Sequence, residues 1–312
     1  MKLALTVQRL LRNRRACIWL MVARTAGAAL ATSLATAASA QVVTVQDDAQ
    51  HKVVLPRPAH RIISLAPHAT ELLFAAGAGP YVIGVSDYSD YPPTAQKLPS
   101  MGSSSALDIE RIAALKPDLV VAWSSGNSAS QIASLRALGI PVFESEPRQL
   151  DAIGSSLLRL SQLAGTGTSG AAAAAAFKIR LAQLDATYRQ RPTVRVFYQI
   201  WQKPLMTLND SHMVSSVITL CGGENVFGKL PQLAPTVSTE AVLQANPEVI
   251  FAADGGAASN TGWRRFPKLA AVASNNLFAL TPNWMSRPGP RILDGAAELC
   301  QKLDLARSRR QP

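Results

Sequence analysis

The chain has 312 residues, of which 31 are lysine or arginine and 20 are aspartate or glutamate, so its formal net charge is +11. Six of the basic residues and none of the acidic ones lie in the first 40 positions, which leaves 25 basic and 20 acidic residues in the remainder. That excess of +5 is dispersed except for Arg307, Arg309 and Arg310, which we interpret as a solvated terminus. The charge distribution therefore argues against a nucleic-acid-binding protein.

The first 40 residues have the features of a cleaved signal peptide. A basic start is followed by an alanine-rich run from about Thr25 and by Ala38-Ser39-Ala40, an A-x-A cleavage site. Arg24 interrupts the apolar region, so a retained membrane anchor is the weaker alternative. We predict that the chain is secreted.

Residues 41–147 alternate between short apolar runs and segments with helical spacing. The strand-like runs are RIISLA (61–66), VIGVSD (82–87), DLVVAW (118–123) and PVFESE (141–146), and the helix-like runs are TELLFAAGA (70–78), IERIAAL (109–115) and QIASLRAL (131–138). This alternation is typical of a parallel sheet flanked by helices. It predicts an N-terminal α/β lobe.

A helical connector and a second α/β lobe are predicted after it. Residues 148–192 show helical spacing broken once at 165–170, and they read as one or two helices. Strand and helix signals resume in residues 193–312, beginning with RVFYQI (195–200) and ending with a helix from about Arg291. The predicted fold class is α/β, with two Rossmann-like lobes of mainly parallel sheet joined by a long helical connector. A stiff connector of this kind limits hinge closure.

Two segments are variations on one unit. LDIERIAALKPDLVVAW (107–123) and VSTEAVLQANPEVIFAA (237–253) each predict a capped helix, a turn containing proline and an apolar strand. Glu110 and Glu240 occupy the same place in the first turn of the two helices, where capping alone would explain them. The repeat indicates two similar lobes with a ligand cleft between them.

Motifs of known enzymes do not fit this chain. Gly165, Gly167 and Gly170 spell G-x-G-x-x-G, but they follow a helical segment instead of a strand, so we interpret them as a helix break. The four histidines are scattered in the sequence and indicate neither a metal site nor an acid–base cluster. An enzyme is possible only through a site that motif reading does not reveal.

Aromatic residues fall at the loops that follow predicted strands, where open α/β sheets bind ligands. These are Tyr88, Trp123, Trp201 and the segment Asn283, Trp284, Met285, Ser286, Arg287. Core packing explains any one of them equally well, but together they favour a broad, flat ligand. His68 follows a strand in the same way and could ligate a metal in that ligand; a hydrogen bond to backbone is the favoured alternative.

Cys221 and Cys300 are the cysteines left after signal-peptide removal, and in an oxidising compartment an even pair suggests one disulfide. The runs RIISLAPHATELLFAAGAG, SDYSDYPP, CGGENVFG and NWMSRPGPRI, with the first repeat unit, resemble the periplasmic cobalamin-binding proteins of bacterial ABC importers. The resemblance covers nearly all of residues 60–305. It also matches the two cysteines to that family's disulfide.

The resemblance implies a monomeric protein that captures cobalamin or a related corrinoid between its lobes and delivers it to a two-fold ABC permease. By position it assigns Tyr88, Trp123 and residues 283–287 to the ligand, and Glu110 and Glu240 to permease docking. The chain departs from the pattern at Ser104, Met206 and Ala234, where the family has further cleft aromatics, and at Asn283, where it has aspartate. Haem or a ferric siderophore, bound by the same fold, is the alternative ligand. The resemblance implies a periplasmic binding protein with no cofactor, and a periplasmic tetrapyrrole-processing enzyme is the remote alternative.

Overall fold

The computed structural model describes residues 42–253 and 261–310. The predicted signal peptide, residues 1–40, lies outside these ranges. Within them, no helix combines the length and the apolar character needed to cross a membrane.

The N-terminal lobe contains a four-stranded parallel sheet. Its elements are β1 (Val43–Gln46), β2 (Lys52–Leu55), β3 (Ile62–Ser64), α1 (Pro67–Ala75), β4 (Val82–Val85), β5 (Gly102–Ser103), β6 (Ala106–Leu107), α2 (Ile109–Ala114), β7 (Leu119–Trp123), α3 (Ala129–Ala137) and β8 (Val142–Ser145). The sheet order is β4-β3-β7-β8, and every neighbouring pair is parallel. The pairs β1-β2 and β5-β6 are antiparallel.

Two helices follow, α4 (Leu150–Ala164) and α5 (Gly167–Tyr188). Gly165 ends α4 in the left-handed region at φ +69°, a conformation that glycine adopts without strain. A Cβ atom on Gly170 would lie 2.1 Å from Ser161 Oγ, so this glycine lets the two helices approach closely. Gly165 therefore ends a helix, as the sequence predicted, and Gly170 permits close helix packing, which the sequence did not predict.

The C-terminal lobe repeats the sheet of the first. Its elements are β9 (Val194–Gln199), α6 (Met213–Leu220), β10 (Gly223–Asn225), α7 (Thr239–Ala245), β11 (Val249–Ala252), α8 (Ala270–Ala273), β12 (Leu277–Ala279) and α9 (Ile292–Ser308). The order β10-β9-β11-β12 is again parallel, and in both sheets the strands run second, first, third, fourth in chain order. The predicted fold class is confirmed; the exact domain boundaries stay predictions.

Matched contacts support the duplication in detail. Arg61 and Arg195 enter the first strand of their sheets, and each donates a hydrogen bond to a carbonyl at the end of its repeat helix, at Leu115 and Ala245 respectively. The acidic residue before the third strand accepts a nearby backbone N–H in both lobes. Asp118 accepts from His60, the residue before the arginine, at 3.0 Å, and Glu248 accepts from Arg195 itself at 2.9 Å. The two units share tertiary contacts as well as sequence pattern.

Both sheets are buried on both faces. Leu119 and Val121 of β7, with Val249 and Phe251 of β11, belong to one hydrophobic cluster that also includes α4, α5 and α9. The opposite faces belong to two smaller clusters, one in each lobe. One core therefore runs through both lobes by way of the helices between them.

The arginines at the end of the chain are not a solvated terminus. Arg307 donates to the carbonyls of Pro192 and Cys221, both at 2.7 Å. Arg309 donates to the Asn275 carbonyl at 2.6 Å, and Arg310 pairs with Glu248 at 2.9 Å. That interpretation was wrong because loop carbonyls beside the second sheet need donors, and the guanidinium groups supply them.

Cys221 and Cys300 form the predicted disulfide, which joins the end of α6 to α9 across 79 positions of sequence. Replacing both by alanine should lower the free energy of unfolding by about 4 kcal/mol, because the unfolded chain regains the freedom of a long loop. Denaturant unfolding of the wild type and the double variant, each with and without reductant, measures this. Reductant should affect the wild type alone, and two labelled thiols in the folded, unreduced wild type would contradict the pairing.

Candidate functional site

The loops that leave the carboxyl ends of the strands carry the predicted site. In the parallel N-terminal sheet, His68 follows β3, Tyr88 follows β4 and Trp123 ends β7, so these residues share one edge. The loop after β12 meets this edge, because Arg287 donates to the Tyr88 carbonyl at 3.0 Å. The two lobes therefore face each other across their strand-end loops, where α/β folds bind ligands.

Tyr88 is presented by a tightly held loop. Its side chain is 82% exposed, and its backbone has φ +62°, an uncommon conformation for a bulky residue. Buried hydroxyls anchor the loop from below: Thr70 Oγ1 lies 2.8 Å from Ser64 Oγ and 3.1 Å from Ser89 Oγ. These contacts hold the strained backbone in place and leave the phenol ring in solvent.

Trp123 is oriented by two residues that sequence analysis missed. Asn127 accepts the Trp123 backbone N–H at 2.7 Å and donates to the carbonyls of Leu65 and Ser104. A Cβ atom on Gly126 would lie 2.0 Å from the indole ring, so only glycine leaves room for the ring. Both belong to the polar run SSGNS (124–128), which lies between a predicted strand and a predicted helix.

His68 supports Trp123 from below. The imidazole is 3% exposed and lies edge-on to the indole, with 5.6 Å between ring centroids. Burial lowers the pKa of His68 to about 4, and a hydrogen bond to the Ser145 backbone opposes that shift in part. This arrangement agrees with the favoured alternative, a histidine hydrogen-bonded to backbone. The other ring nitrogen, Nε2, is buried and has no hydrogen-bond partner among the described residues.

The loop after β12 divides into exposed and buried residues. Asn283 and Ser286 are exposed and Trp284 is half-buried, so these three face outward at least in part. Met285, predicted to contact the ligand, is instead 4% exposed and packs in the core. A Cβ atom on Gly295 would lie 2.7 Å from its sulfur, which shows how closely α9 covers it. The sequence could not separate these neighbours because a loop has no periodicity.

Trp201 is the second residue after β9 and is 56% exposed. Its indole N–H donates to the Lys203 carbonyl at 3.0 Å, and its backbone pairs with Met206. This turn therefore presents a large aromatic face, as predicted. The segment after β11, residues 254–260, lies outside the described residues.

Four charged side chains join the lobes, and we call Glu71, Asp90, Arg287 and Arg291 the interlobe brace. Arg287 lies 3.2 Å from Glu71 and 2.5 Å from Asp90, and Arg291 binds both carboxylate oxygens of Glu71 at 2.5 and 2.9 Å. The hydrogen bond from Arg287 lowers the pKa of Asp90, and the bond to Glu71 raises the pKa of Arg291. These are charge-assisted pairs, the stronger kind of hydrogen bond.

The brace changes the interpretation of Arg287. It was predicted to contact the ligand, but its side chain is buried and donates to Glu71, Asp90 and the Tyr88 carbonyl. We therefore assign it to holding the two loops together. Glu71 was missed because it sits in the apolar run TELLFAA, where a single acid resembles a surface position. It is 3% exposed.

Glu110 and Glu240 lie in matching places on the two lobes. Both are exposed, in the first turns of α2 and α7, and each helix is capped by the residue two positions earlier, Asp108 or Ser238. Because cap side chains already bind the free backbone N–H groups, neither glutamate is needed as the N-cap. A hydrogen bond to its own backbone and one to Ser238 lower the pKa of Glu240.

One group of side chains has the composition of a metal site. Asp47, His51 and Glu144 bring ligand atoms within 4.8 Å of one another. The Arg136 guanidinium, however, lies 2.7 Å from Glu144 and 3.3 Å from the His51 ring. Arg136 therefore supplies the positive charge that a metal ion would bring to these acidic side chains. The cluster connects the β1-β2 turn to β8.

The sequence pattern of the family described as periplasmic binding protein matches residues 62–283. The chain belongs to this family. The vitamin B12-binding protein of Vibrio cholerae serotype O1 is 41% identical to this periplasmic binding protein over 252 residues, 80% of this chain and 91% of the relative. Both the predicted resemblance and the fold are confirmed.

Solved structures agree with this assignment. The crystal structure of the periplasmic vitamin B12-binding protein BtuF of Vibrio cholerae has a TM-score of 0.76 at 41% identity, covering 80% of this chain and 98% of that one. The haem-binding protein RhuT from Roseiflexus, in apo form, has a TM-score of 0.71 at 26% identity, covering 80% and 99%. One fold therefore carries both kinds of ligand among these similar proteins.

Buried His68 makes stability depend on pH. Its pKa is about 4 in the folded protein against 6.5 ordinarily, so between these values the unfolded chain takes up a proton that the folded protein does not. The free energy of unfolding should fall as pH drops from 6.5 to 4, by at most about 3 kcal/mol, and this contribution should be absent above pH 6.5. Urea unfolding at pH 7 and pH 4.5 measures the change.

The variant His68→Asn provides the comparison, because other titrating groups, including His212 with its own lowered pKa, contribute equally to both proteins. The variant should lose less stability than the wild type between the two pH values. Equal losses would show that His68 is not buried in its neutral form.

Proposed function

We propose that this periplasmic binding protein captures cobalamin, or a closely related corrinoid, between its lobes and delivers it to an ABC permease. The observation that carries the proposal is the set of aromatic residues Tyr88, Trp123, Trp201 and Trp284 on strand-end loops of both lobes. The vitamin B12-binding relatives, 41% identical over most of the chain, support the corrinoid as ligand. The family supports the periplasm as the location.

Aromatic faces suit such a ligand. A corrin ring is broad, flat and largely apolar, and stacking on a rigid aromatic side chain combines apolar burial with a defined orientation. Tyr88 and Trp201 are more than half exposed in the free protein, so their faces are available for stacking without unfolding of a loop. We assign Asn283, Trp284 and Ser286 to contacts from the second lobe, and we leave out Met285 and Arg287.

The missing aromatics bear on affinity. At Ser104, Met206 and Ala234 this chain lacks rings that the cobalamin-binding pattern has, and each lost ring removes stacking worth about 1 kcal/mol. The Ser104 carbonyl and the Met206 backbone are used in holding Asn127 and the Trp201 turn. We expect the cleft to be wider near Ser104, Met206 and Ala234. A corrinoid bound there should make fewer stacking contacts than in the cobalamin-binding pattern.

The purified mature protein should bind cyanocobalamin with one-to-one stoichiometry in isothermal titration calorimetry. Tyr88→Ala or Trp284→Ala should weaken binding by about 1 to 3 kcal/mol, or roughly 5- to 150-fold, because an aromatic anchor is lost. Neither change should lower the melting temperature much, since neither ring lies in the core. Leu138→Ala, which truncates a 57% exposed side chain at the end of α3, is the control and should bind like the wild type.

Parallel titrations with cobinamide, haemin and a ferric siderophore discriminate among ligands. Tight binding of haemin without binding of cyanocobalamin would replace the corrinoid with haem. Equal affinity of the wild type and both aromatic variants would move the ligand away from these loops. Steady turnover of a tetrapyrrole would instead indicate an enzyme.

Delivery requires a surface for the permease, and we propose that Glu110 and Glu240 form it, one on each lobe. The two carboxylates occupy equivalent positions in repeated units whose helices, caps and anchoring arginines correspond. A two-fold permease offers the same basic side chain twice. Exposed carboxylates steer such an encounter, and charge-assisted hydrogen bonds then fix its register.

Glu110→Ala combined with Glu240→Ala should leave cyanocobalamin affinity unchanged and reduce cobalamin uptake by cells that depend on this protein at least about tenfold, through lost docking contacts. Glu224→Ala with Asp304→Ala changes the net charge equally outside the repeated helix starts and should leave uptake intact. Normal uptake by the first double variant, or a matching loss of ligand affinity, would argue against docking at these residues.

A further inference from the structure

The interlobe brace is buried and balanced in charge. The Glu71 side chain is 2% exposed, that of Arg287 10% and that of Arg291 19%, while Asp90 is nearly half exposed. Two carboxylates meet two guanidinium groups, so no charge is left without an opposite partner. Removing one member of such a pair leaves the other charged and poorly solvated, which is strongly unfavourable.

Both ligand loops are fastened to this brace. Arg287 lies three residues after Trp284, in the same loop of the second lobe. Its guanidinium donates to the backbone carbonyl of Tyr88, the residue whose left-handed backbone presents the phenol ring of the first lobe. The positions of the two aromatic side chains are therefore linked through one arginine.

Glu71 is the centre of the brace. It accepts hydrogen bonds from Arg287 and Arg291 together. It projects from α1, which is fixed in the core by the two residues that follow it, Leu72 and Leu73. Arg291 also lies over the Tyr91 ring, with its Cζ 3.9 Å from the centroid, so the same carboxylate steadies the end of the Tyr88 loop. A Cβ atom on Gly289 would lie 3.4 Å from Glu71 Oε2, which leaves little space between the segments.

We propose that Glu71 is a positioning residue of the ligand site, which sets the separation of the Tyr88 and Trp284 loops through Arg287 and Arg291. This inference rests on the proposed function and adds to it a residue that is too buried to touch the ligand. In Glu71→Gln the side chain keeps its shape, but two guanidinium groups face a neutral amide. The loops then lose their fixed separation, and a ligand must restore it on binding.

The first experiment compares cyanocobalamin affinity by calorimetry. Glu71→Gln should weaken binding about tenfold or more. Asp90→Asn alters a half-exposed carboxylate that pairs with Arg287 and should weaken cyanocobalamin binding less. This second variant tests the proposal if Glu71→Gln does not fold. Asp304→Asn is the matched control, since it removes an ion pair with Arg307 within α9 and should bind like the wild type.

The second experiment measures the separation of the lobes without ligand. Cysteines introduced as Ser105→Cys and Gln232→Cys, both at exposed positions, carry spin labels for distance measurement by electron paramagnetic resonance. Glu71→Gln should broaden the distance distribution relative to the wild type, and the Asp304→Asn control should not.

A lower melting temperature in Glu71→Gln with unchanged affinity and unchanged distances would reduce the brace to a stabilising contact and overturn the proposal. If the wild type does not bind cyanocobalamin, the proposed function fails. The distance measurement then still decides whether Glu71 sets the separation of the lobes that carry the two loops.

Discussion

A single hydrophobic core that runs through both lobes is the constraint on which this structure depends. The inner faces of the two sheets pack on α4, α5 and α9, so Leu157 and Phe177 belong to the same cluster as Leu119 and Phe251. Parting the lobes would expose part of that cluster, at about 25 cal/mol for each Å² of apolar surface. The cleft is therefore largely formed before a ligand arrives, and little binding energy is spent on closing it.

The brace adds what an apolar core cannot supply. Hydrophobic contacts are non-directional, and a core of suitable volume tolerates small shifts of one loop against another. Glu71 with Arg287 and Arg291 is directional, because bidentate pairing fixes distance and angle together. A buried ion pair is often no more stabilising than the apolar residues that could replace it. We propose that its contribution here is geometric: it relates the Tyr88 loop to the Trp284 loop.

Sequence patterns predicted the sheets because buried parallel strands are continuous apolar runs, as RIISLA and DLVVAW are. They missed the β1-β2 hairpin, whose solvent-facing residues dilute the signal, and the three-residue strand β10. Within the site they located the loops but not the side-chain directions. Met285 and Arg287 lie next to exposed residues, and their burial comes from α9 and from the opposite lobe, which no local pattern records.

The duplication explains which parts of the two lobes remained alike. Sheet order, helix caps and the arginine contacts at the repeat helices correspond between lobes, and so do the exposed glutamates Glu110 and Glu240. The aromatic residues at the strand ends do not correspond between the lobes: Tyr88 follows the second strand of its sheet, whereas Trp284 follows the fourth strand of the other. A corrinoid has two different faces, whereas a two-fold permease presents the same surface twice. We infer that the divergent loops suit the proposed corrinoid and that the matched helices suit the proposed permease.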